Sequence, residues 1–176
     1  FYQNALNVSR EIGSRESEFI YLSNLAGSQL GMGNFAAAES ALREVITSVG
    51  TPTTCSLSET YWFLSEACSG QGKFEEAWDA ARQALSLAQN SENLLDTGGA
   101  WRALAQAAVG LKKQGCELSR ASGSDPRAFF EESLRVFKSI SAEAEQARTL
   151  SSWADYELQE GRVLESQRLR DQAGAI

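Results

Sequence analysis

The chain contains few residues that could carry out catalysis. It has no histidine, which removes Ser-His-Asp and Cys-His nucleophiles and the H-E-x-x-H zinc motif. Its three cysteines, Cys55, Cys68 and Cys116, lack both the C-x-x-C spacing of a zinc site and the even count of a disulfide framework. We interpret them as buried or incidental thiols of a reducing, cytoplasmic compartment. We expect no metal and no cofactor.

Two other patterns could suggest a chemical site but have simpler interpretations. The Gly-x-Gly segments at 31–33 and 70–72 lack the third glycine and the preceding strand of a phosphate-binding loop, so they are interpreted as turns. The glutamate pairs at 75–76 and 131–132 are expected on solvated outer helix faces, where no pocket shifts their pKa values. The sequence therefore predicts a protein that is not an enzyme.

The composition favours helix along the whole chain. Alanine, leucine, glutamate and glutamine lose little entropy in a helix, and the helix breaker proline occurs only twice. No apolar run has the length of a transmembrane helix, so no membrane span is expected. The formal net charge of −7 disfavours nucleic-acid binding in general, because phosphate contacts need clustered lysine and arginine.

A repeated pattern of helix, tight turn and helix organises the sequence. A glycine, a polar or basic residue and an apolar residue recur at 33–35, 72–74 and 161–163. Apolar stripes at helical spacing come before and after each of these triplets. A small residue beside the first stripe lets the second helix approach closely, and the glycine supplies the backbone freedom that the turn needs. The pattern predicts an all-α fold built from helix pairs.

These units resemble the tetratricopeptide repeat (TPR) family, whose pattern is W-x2-L-G-x2-Y, then A-x3-F, then P. The residues that carry the resemblance are YLSNLAGSQLGMGNFAAAESALREVI and TYWFLSEACSGQGKFEEAWDAARQALSLA. The small position holds alanine or serine instead of glycine, the closing proline is missing, and Gly33 and Gly72 are 39 residues apart. The resemblance implies a right-handed α-α superhelix, that is, a TPR-like solenoid of antiparallel helix pairs. Such long-step repeats are similar to the repeat regions of large bacterial signalling ATPases, cyclases and transcription regulators.

We expect a single TPR-like domain over residues 1–176, forming part of a longer protein. The second helix of a truncated repeat is expected first, at 1–16. The full repeats are expected at 19–50, 58–90, 97–140 and 143–174. The third contains an inserted loop at about 112–126, where Asp125-Pro126 suits the start of the next helix. Repeats depend on their neighbours to cover apolar faces, so open ends predict self-association as a homo-oligomer.

The resemblance also implies a groove lined by the first helix of each pair. The candidate partner-binding residues on that face are Asn24, Trp62, Phe63, Glu66, Arg102, Gln106 and Arg148. Tyr61 and Leu64 already fill core positions, so Trp62 and Phe63 cannot both turn inward. They would either anchor a bound peptide or pack against the neighbouring first helix.

In TPRs that clamp a peptide, lysine, arginine and asparagine on this face bind a terminal carboxylate. Asn24 matches such a position, but Glu59 and Glu66 stand where basic partners are needed.

The sequence therefore predicts a module that binds a peptide, a helix or another domain of the same chain. Two alternatives stay open. One is a structural spacer or oligomerisation segment within a longer repeat array. The other is a sensor whose inserted loop, with Lys112, Lys113 and Arg120, binds an anionic ligand or nucleic acid. Residues 102–127 hold five basic and two acidic side chains, which gives the sensor its only support.

Overall fold

The computed structural model describes residues 2–48, 57–116 and 125–176. Within these ranges the chain forms helices and turns and no strand, which confirms the all-α prediction. The helices are α1 (Tyr2–Glu11), α2 (Arg15–Gly31), α3 (Phe35–Ser48), α4 (Leu57–Gly70), α5 (Phe74–Asn90), α6 (Leu94–Lys113), α7 (Pro126–Ser139), α8 (Glu143–Gln159) and α9 (Val163–Gly174).

The turns inside the helix pairs end on left-handed glycines. Gly72, after α4, has φ of 75°, and its N–H donates to the carbonyl of Ser69. The N–H of the following residue donates to the carbonyl of Cys68, which completes the usual hydrogen-bonded closure of a helix C-terminus. Gly33 and Gly161 have φ of 76° and 75°, so the three glycines found in the sequence all take this conformation.

Two expected boundaries need correction. Helix α2 begins at Arg15 instead of residue 19, so the turn after α1 is short. Helix α6 continues to Lys113, which places Lys112 and Lys113 on its last turn and not in an inserted loop. The start of α7 agrees with the sequence: Pro126 is its first residue, and the Asp125 carboxylate accepts a hydrogen bond from the backbone of the first turn.

The helices pack in two rows. Each helix contacts its neighbours along the chain, and the even-numbered helices also contact one another in the order α2, α4, α6, α8. Among the described residues the odd-numbered helices contact only even-numbered ones. The even-numbered helices therefore form a continuous layer, and their outer faces together make one surface.

Aromatic residues at the start of odd-numbered helices lock successive pairs together. Phe35 opens α3 and packs on Gly70 of α4, where a Cβ atom would lie 2.4 Å from the ring. Phe74 opens α5 and packs in the same way on Gly110 of α6, where a Cβ atom would lie 2.0 Å from the ring. These contacts need a residue without a side chain, because the rings lie directly against the helix backbone.

The third contact of this series uses an ion pair instead. Arg127, in the first turn of α7, donates two hydrogen bonds of 2.8 and 2.9 Å to the carboxylate of Glu157 on α8. Glu157 is fully buried and also accepts hydrogen bonds from Arg162 and from the indole of Trp153. A buried carboxylate with this many donors is fully compensated.

These contacts predict a loss of stability in acid. Burial alone would raise the pKa of Glu157, but hydrogen bonds from Arg127, Arg162 and Trp153 lower it to about 2. The pKa of Glu39 is also lowered to about 2, against the effect of burial, by Lys73, Arg43 and Gln71. A lowered folded-state pKa stabilises the protein above the ordinary value of 4.5. That stability is lost as the pH falls from about 4.5 towards about 2.

Urea unfolding followed by circular dichroism at successive pH values would measure this loss. We expect Glu157→Gln to be less stable near neutrality and to lose less stability in acid than the wild type. Glu75→Gln, at an exposed position of α5, is the control and is expected to follow the wild-type curve. A wild-type free energy of unfolding that does not decrease as the pH falls from about 4.5 towards about 2 would contradict the prediction.

Candidate functional site

The outer faces of the even-numbered helices enclose a groove of about 740 Å³, here called the even-helix groove. One wall, from α2, α3 and α4, is mostly apolar and consists of Gly27, Leu30, Gly31, Phe35, Phe63 and Gly70. The other wall, from α6 and α8, is polar and consists of Arg102, Gln106, Arg148, Ser151 and Ser152, whereas Glu66 of α4 lies beside the apolar wall. Ser69 and Ala147 complete the lining. A segment with one apolar and one polar side would match this surface.

Most residues predicted for the groove line it. Phe63, Glu66, Arg102, Gln106 and Arg148 come together there from α4, α6 and α8. They meet because α4, α6 and α8 lie side by side in the layer of even-numbered helices.

Two predicted residues lie elsewhere. Asn24 is exposed on α2 but does not line the groove. Trp62 is only 6% exposed, so its expected role as an open aromatic anchor is wrong. Its ring packs on Gly99 of α6, where a Cβ atom would lie 2.9 Å from the indole. Trp62 therefore packs against the neighbouring even-numbered helix, whereas Phe63 stays half-buried in the groove wall.

Arg102 is a structural cation and is not free to bind a ligand. Its side chain is 2% exposed, and its guanidinium lies 5.5 Å from the ring centroid of Trp62 and 5.7 Å from that of Phe137. It forms ion pairs of 3.2 Å with Glu66 and 2.5 Å with Glu145. Sequence reasoning missed Glu145, although its spacing of three residues from Arg148 is a recognisable helix ion pair.

Charges therefore alternate in a row from Glu66 through Arg102 and Glu145 to Arg148, and all of these except Glu145 line the groove. Arg148 closes the row with a contact of 3.1 Å to Glu145, and its side chain is 68% exposed. At the other end, burial raises the pKa of Glu66 above its ordinary value, although Arg102 acts in the opposite direction. The two ends of the row thus differ in their exposure to solvent.

The polar wall is tied across two helices. The amide of Gln106 on α6 donates a hydrogen bond of 3.1 Å to the hydroxyl of Ser152 on α8. A side cavity of about 310 Å³ continues beyond this bond, past Ser69 and Val109 to Lys113.

Two of the three basic residues assigned to the inserted loop, Lys112 and Lys113, lie within the described residues, on the last turn of α6. Lys112 is paired with Glu160 at 2.7 Å and also donates to the hydroxyl of Tyr156. Lys113 is exposed on the last turn of α6. Arg120 lies outside the described residues.

A cluster with metal-ligand atoms occurs where α3, α4 and α5 meet, apart from the groove, and Glu76 is exposed there. Atoms of Glu39, Cys68 and Glu76 lie within 4.8 Å of one another. Two cations, Lys73 and Arg43, already bind the Glu39 carboxylate, and burial raises the pKa of the Cys68 thiol to about 11. This donor set fits an ion-pair network better than a metal site, because metal binding needs the thiolate and free carboxylates.

No family model and no curated protein matches this sequence. Among solved structures, the chain is similar to the crystal structure of BtubC (BKLC) from P. vanneervenii. The TM-score is 0.69 with 18% sequence identity, over 99% of this chain and 70% of that chain. The likeness shows a shared fold. Separately, none of the helices in the described ranges combines the length and apolarity needed to cross a membrane.

Proposed function

We propose that this chain is a non-catalytic interaction module with the form of a right-handed TPR-like solenoid. Its even-numbered helices would line the concave side, and a peptide, a helix or a neighbouring domain would bind there. The observation that carries this proposal is the even-helix groove, which has an apolar wall opposite a polar one. Such a pairing of walls suits an amphipathic polypeptide segment.

The wider setting of the proposal rests on the sequence. The resemblance to long-step TPR repeats supports a place within a larger bacterial regulatory or signalling protein. The scattered cysteines support a cytoplasmic location. A module without catalysis is supported by the lack of histidine and by the ion pairs that already engage Glu66, Arg102 and Glu157.

The shape of the groove supports binding of a chain segment over binding of a small molecule. Gly27 and Gly31 leave the apolar wall low, so a ligand backbone can approach α2 closely. The half-buried ring of Phe63 stands above this low wall and offers a contact for an apolar side chain.

Blocking the groove is expected to abolish peptide binding. Ser151 is exposed on the polar wall, so Ser151→Trp fills the groove without disturbing the core. The matched control is Glu75→Trp, at an exposed position of α5 in the other row of helices. Random peptides displayed on phage would be selected on the wild type, and individual peptides then measured by fluorescence anisotropy. We expect them to bind Ser151→Trp at least about tenfold more weakly and Glu75→Trp normally.

Two results would count against the proposal. Peptides that bind Ser151→Trp as well as the wild type would place the binding site elsewhere. Selection that yields no peptide sensitive to the groove would favour the second candidate function, a spacer or oligomerisation segment.

The second candidate has its own structural support. Val8 of α1 and Ile12, just after this helix, are exposed beside a depression of about 410 Å³ that Ala5 and Tyr21 also line. At the other end Leu164 is almost fully exposed on the first turn of α9. Apolar surfaces at both ends of a repeat array suit end-to-end stacking of further helices or copies.

A further inference from the structure

Glu66 is the least compensated charge in the even-helix groove. Among the described residues its carboxylate accepts one hydrogen bond, from Arg102 at 3.2 Å. Arg102 lies closer to Glu145, at 2.5 Å, so it is shared unequally between the two carboxylates. The side chain of Glu66 is 23% exposed, which leaves its remaining acceptor positions directed towards the groove it lines.

The surroundings of Glu66 favour a cation. Phe63 and Ser69 lie one helical turn before and after it on α4, and all three line the groove. An aromatic ring attracts a cation through the negative potential of its face. The hydroxyl of Ser69 has no hydrogen-bond partner among the described residues, so it offers a further polar contact beside the carboxylate.

The opposite end of the charge row is a weaker place for an anion. Arg148 is 68% exposed and lies on α8, across the groove from the apolar wall. An ion pair there would be screened by solvent, whereas one at Glu66 forms in a less polar environment. A ligand that combines a charged and an apolar side chain therefore gains most by presenting a basic group at Glu66. The net charge of −7 also attracts basic partners.

We propose that the occupant of the groove is a basic amphipathic segment that places a lysine or arginine on Glu66 and an apolar side chain on Phe63. The inference rests on the proposed function, because it names the chemistry of the ligand for the same groove. It reverses the preference of carboxylate-clamping repeats, since an acidic residue stands where those need a basic one.

The composition of selected peptides tests the inference. The probe is the pool of random phage-displayed peptides that bind the wild type and are blocked by Ser151→Trp. We expect lysine and arginine to be enriched over aspartate and glutamate in this pool. A basic peptide synthesised from it should bind Glu66→Gln at least about tenfold more weakly than the wild type, because a buried ion pair is lost. Glu75→Gln, which removes an acid at an exposed position of α5 outside the groove, is the matched control and should change affinity by less than about threefold.

A peptide-side variant keeps the test valid if Glu66→Gln alters folding. Replacing the basic residue of the peptide by glutamine should weaken binding to the wild type by the same factor. The substituted peptide should then bind the wild type and Glu66→Gln equally, because the two changes remove one contact. This inference would be overturned, and the proposed function left intact, by peptides that lose affinity for Ser151→Trp but are acidic. Peptides that lose affinity for Ser151→Trp but bind Glu66→Gln as tightly as the wild type would have the same meaning. Failure to select any groove-dependent peptide would overturn both.

Discussion

Replacing Arg102 by methionine is expected to lower the free energy of unfolding by about 3 to 5 kcal/mol. The substitution removes the cation that lies between the carboxylates of Glu66 and Glu145. Glu66 then has no cation and lies near the carboxylate of Glu145, which keeps only its contact with the exposed Arg148. Methionine keeps a long flexible side chain between the rings of Trp62 and Phe137, so packing is largely retained and the effect reports the lost charge.

The control for this prediction is Arg148→Met, which removes an arginine that also contacts Glu145. Its side chain is 68% exposed, so we expect a change of less than about 1 kcal/mol. Urea unfolding followed by circular dichroism would compare the two variants with the wild type.

The pH dependence separates lost charge from lost packing. In Arg102→Met the Glu66 carboxylate lacks its cation, so protonating Glu66 should recover part of the lost stability. The difference in the free energy of unfolding between Arg102→Met and the wild type should therefore become smaller as the pH is lowered. If Arg102→Met loses the same free energy of unfolding at every pH, the effect comes from packing. If it loses no more than Arg148→Met, the structural role of Arg102 is contradicted.

Much of the groove could be predicted because helix periodicity determines which face of a helix is free. The apolar stripe of α4 fixes the side that packs on α5, and the remaining side then carries Phe63 and Glu66. The same rule places Gln106 and Arg148 on the groove from their own helices. Turn glycines such as Gly72 add the break that defines each pair, since its left-handed conformation suits few other residues.

The position of Trp62 could not be predicted from its own helix. Both Trp62 and Phe63 lie on the same side of α4, and the choice between them depends on the facing surface of α6. Gly99 leaves a space there for the indole, and Arg102 covers its face. The periodicity of one helix does not show where a facing helix has a glycine and therefore space for a large side chain.

The left-handed turns at Glu92 and Ser141 show a similar limit. These residues have φ of 54° and 53° at the ends of α5 and α7, although neither is glycine. A non-glycine residue there carries a steric cost of roughly 1 to 2 kcal/mol, which the surrounding helices offset. Sequence reasoning can find the break between the helices, but not the form of the turn, when tertiary packing overrides the local preference.

The aromatic contacts on glycine give the second large prediction. Gly110→Ala places a Cβ atom 2.0 to 2.4 Å from the ring of Phe74, so the ring or α6 must move. Phe74 opens α5 and has little freedom to withdraw, since the N–H of Lys73 just before it is bonded to the end of α4. We expect the free energy of unfolding to fall by about 1 to 3 kcal/mol, the usual range for overpacking.

Gly31→Ala is the matched control, because Gly31 ends α2 with open space around its Cα atom. Alanine is the better helix former, so this variant should be unchanged or more stable by up to about 1 kcal/mol. Chemical unfolding should therefore show a lower free energy of unfolding for Gly110→Ala and an unchanged or higher one for Gly31→Ala.

Adding Phe74→Leu to Gly110→Ala should recover part of the lost stability, because the smaller side chain removes the clash and couples the two positions. Equal stability of Gly110→Ala and Gly31→Ala would mean that Phe74 does not hold α6 in place. Coupling between the two positions would instead show that the ring of Phe74 fixes α5 against the bare backbone of α6.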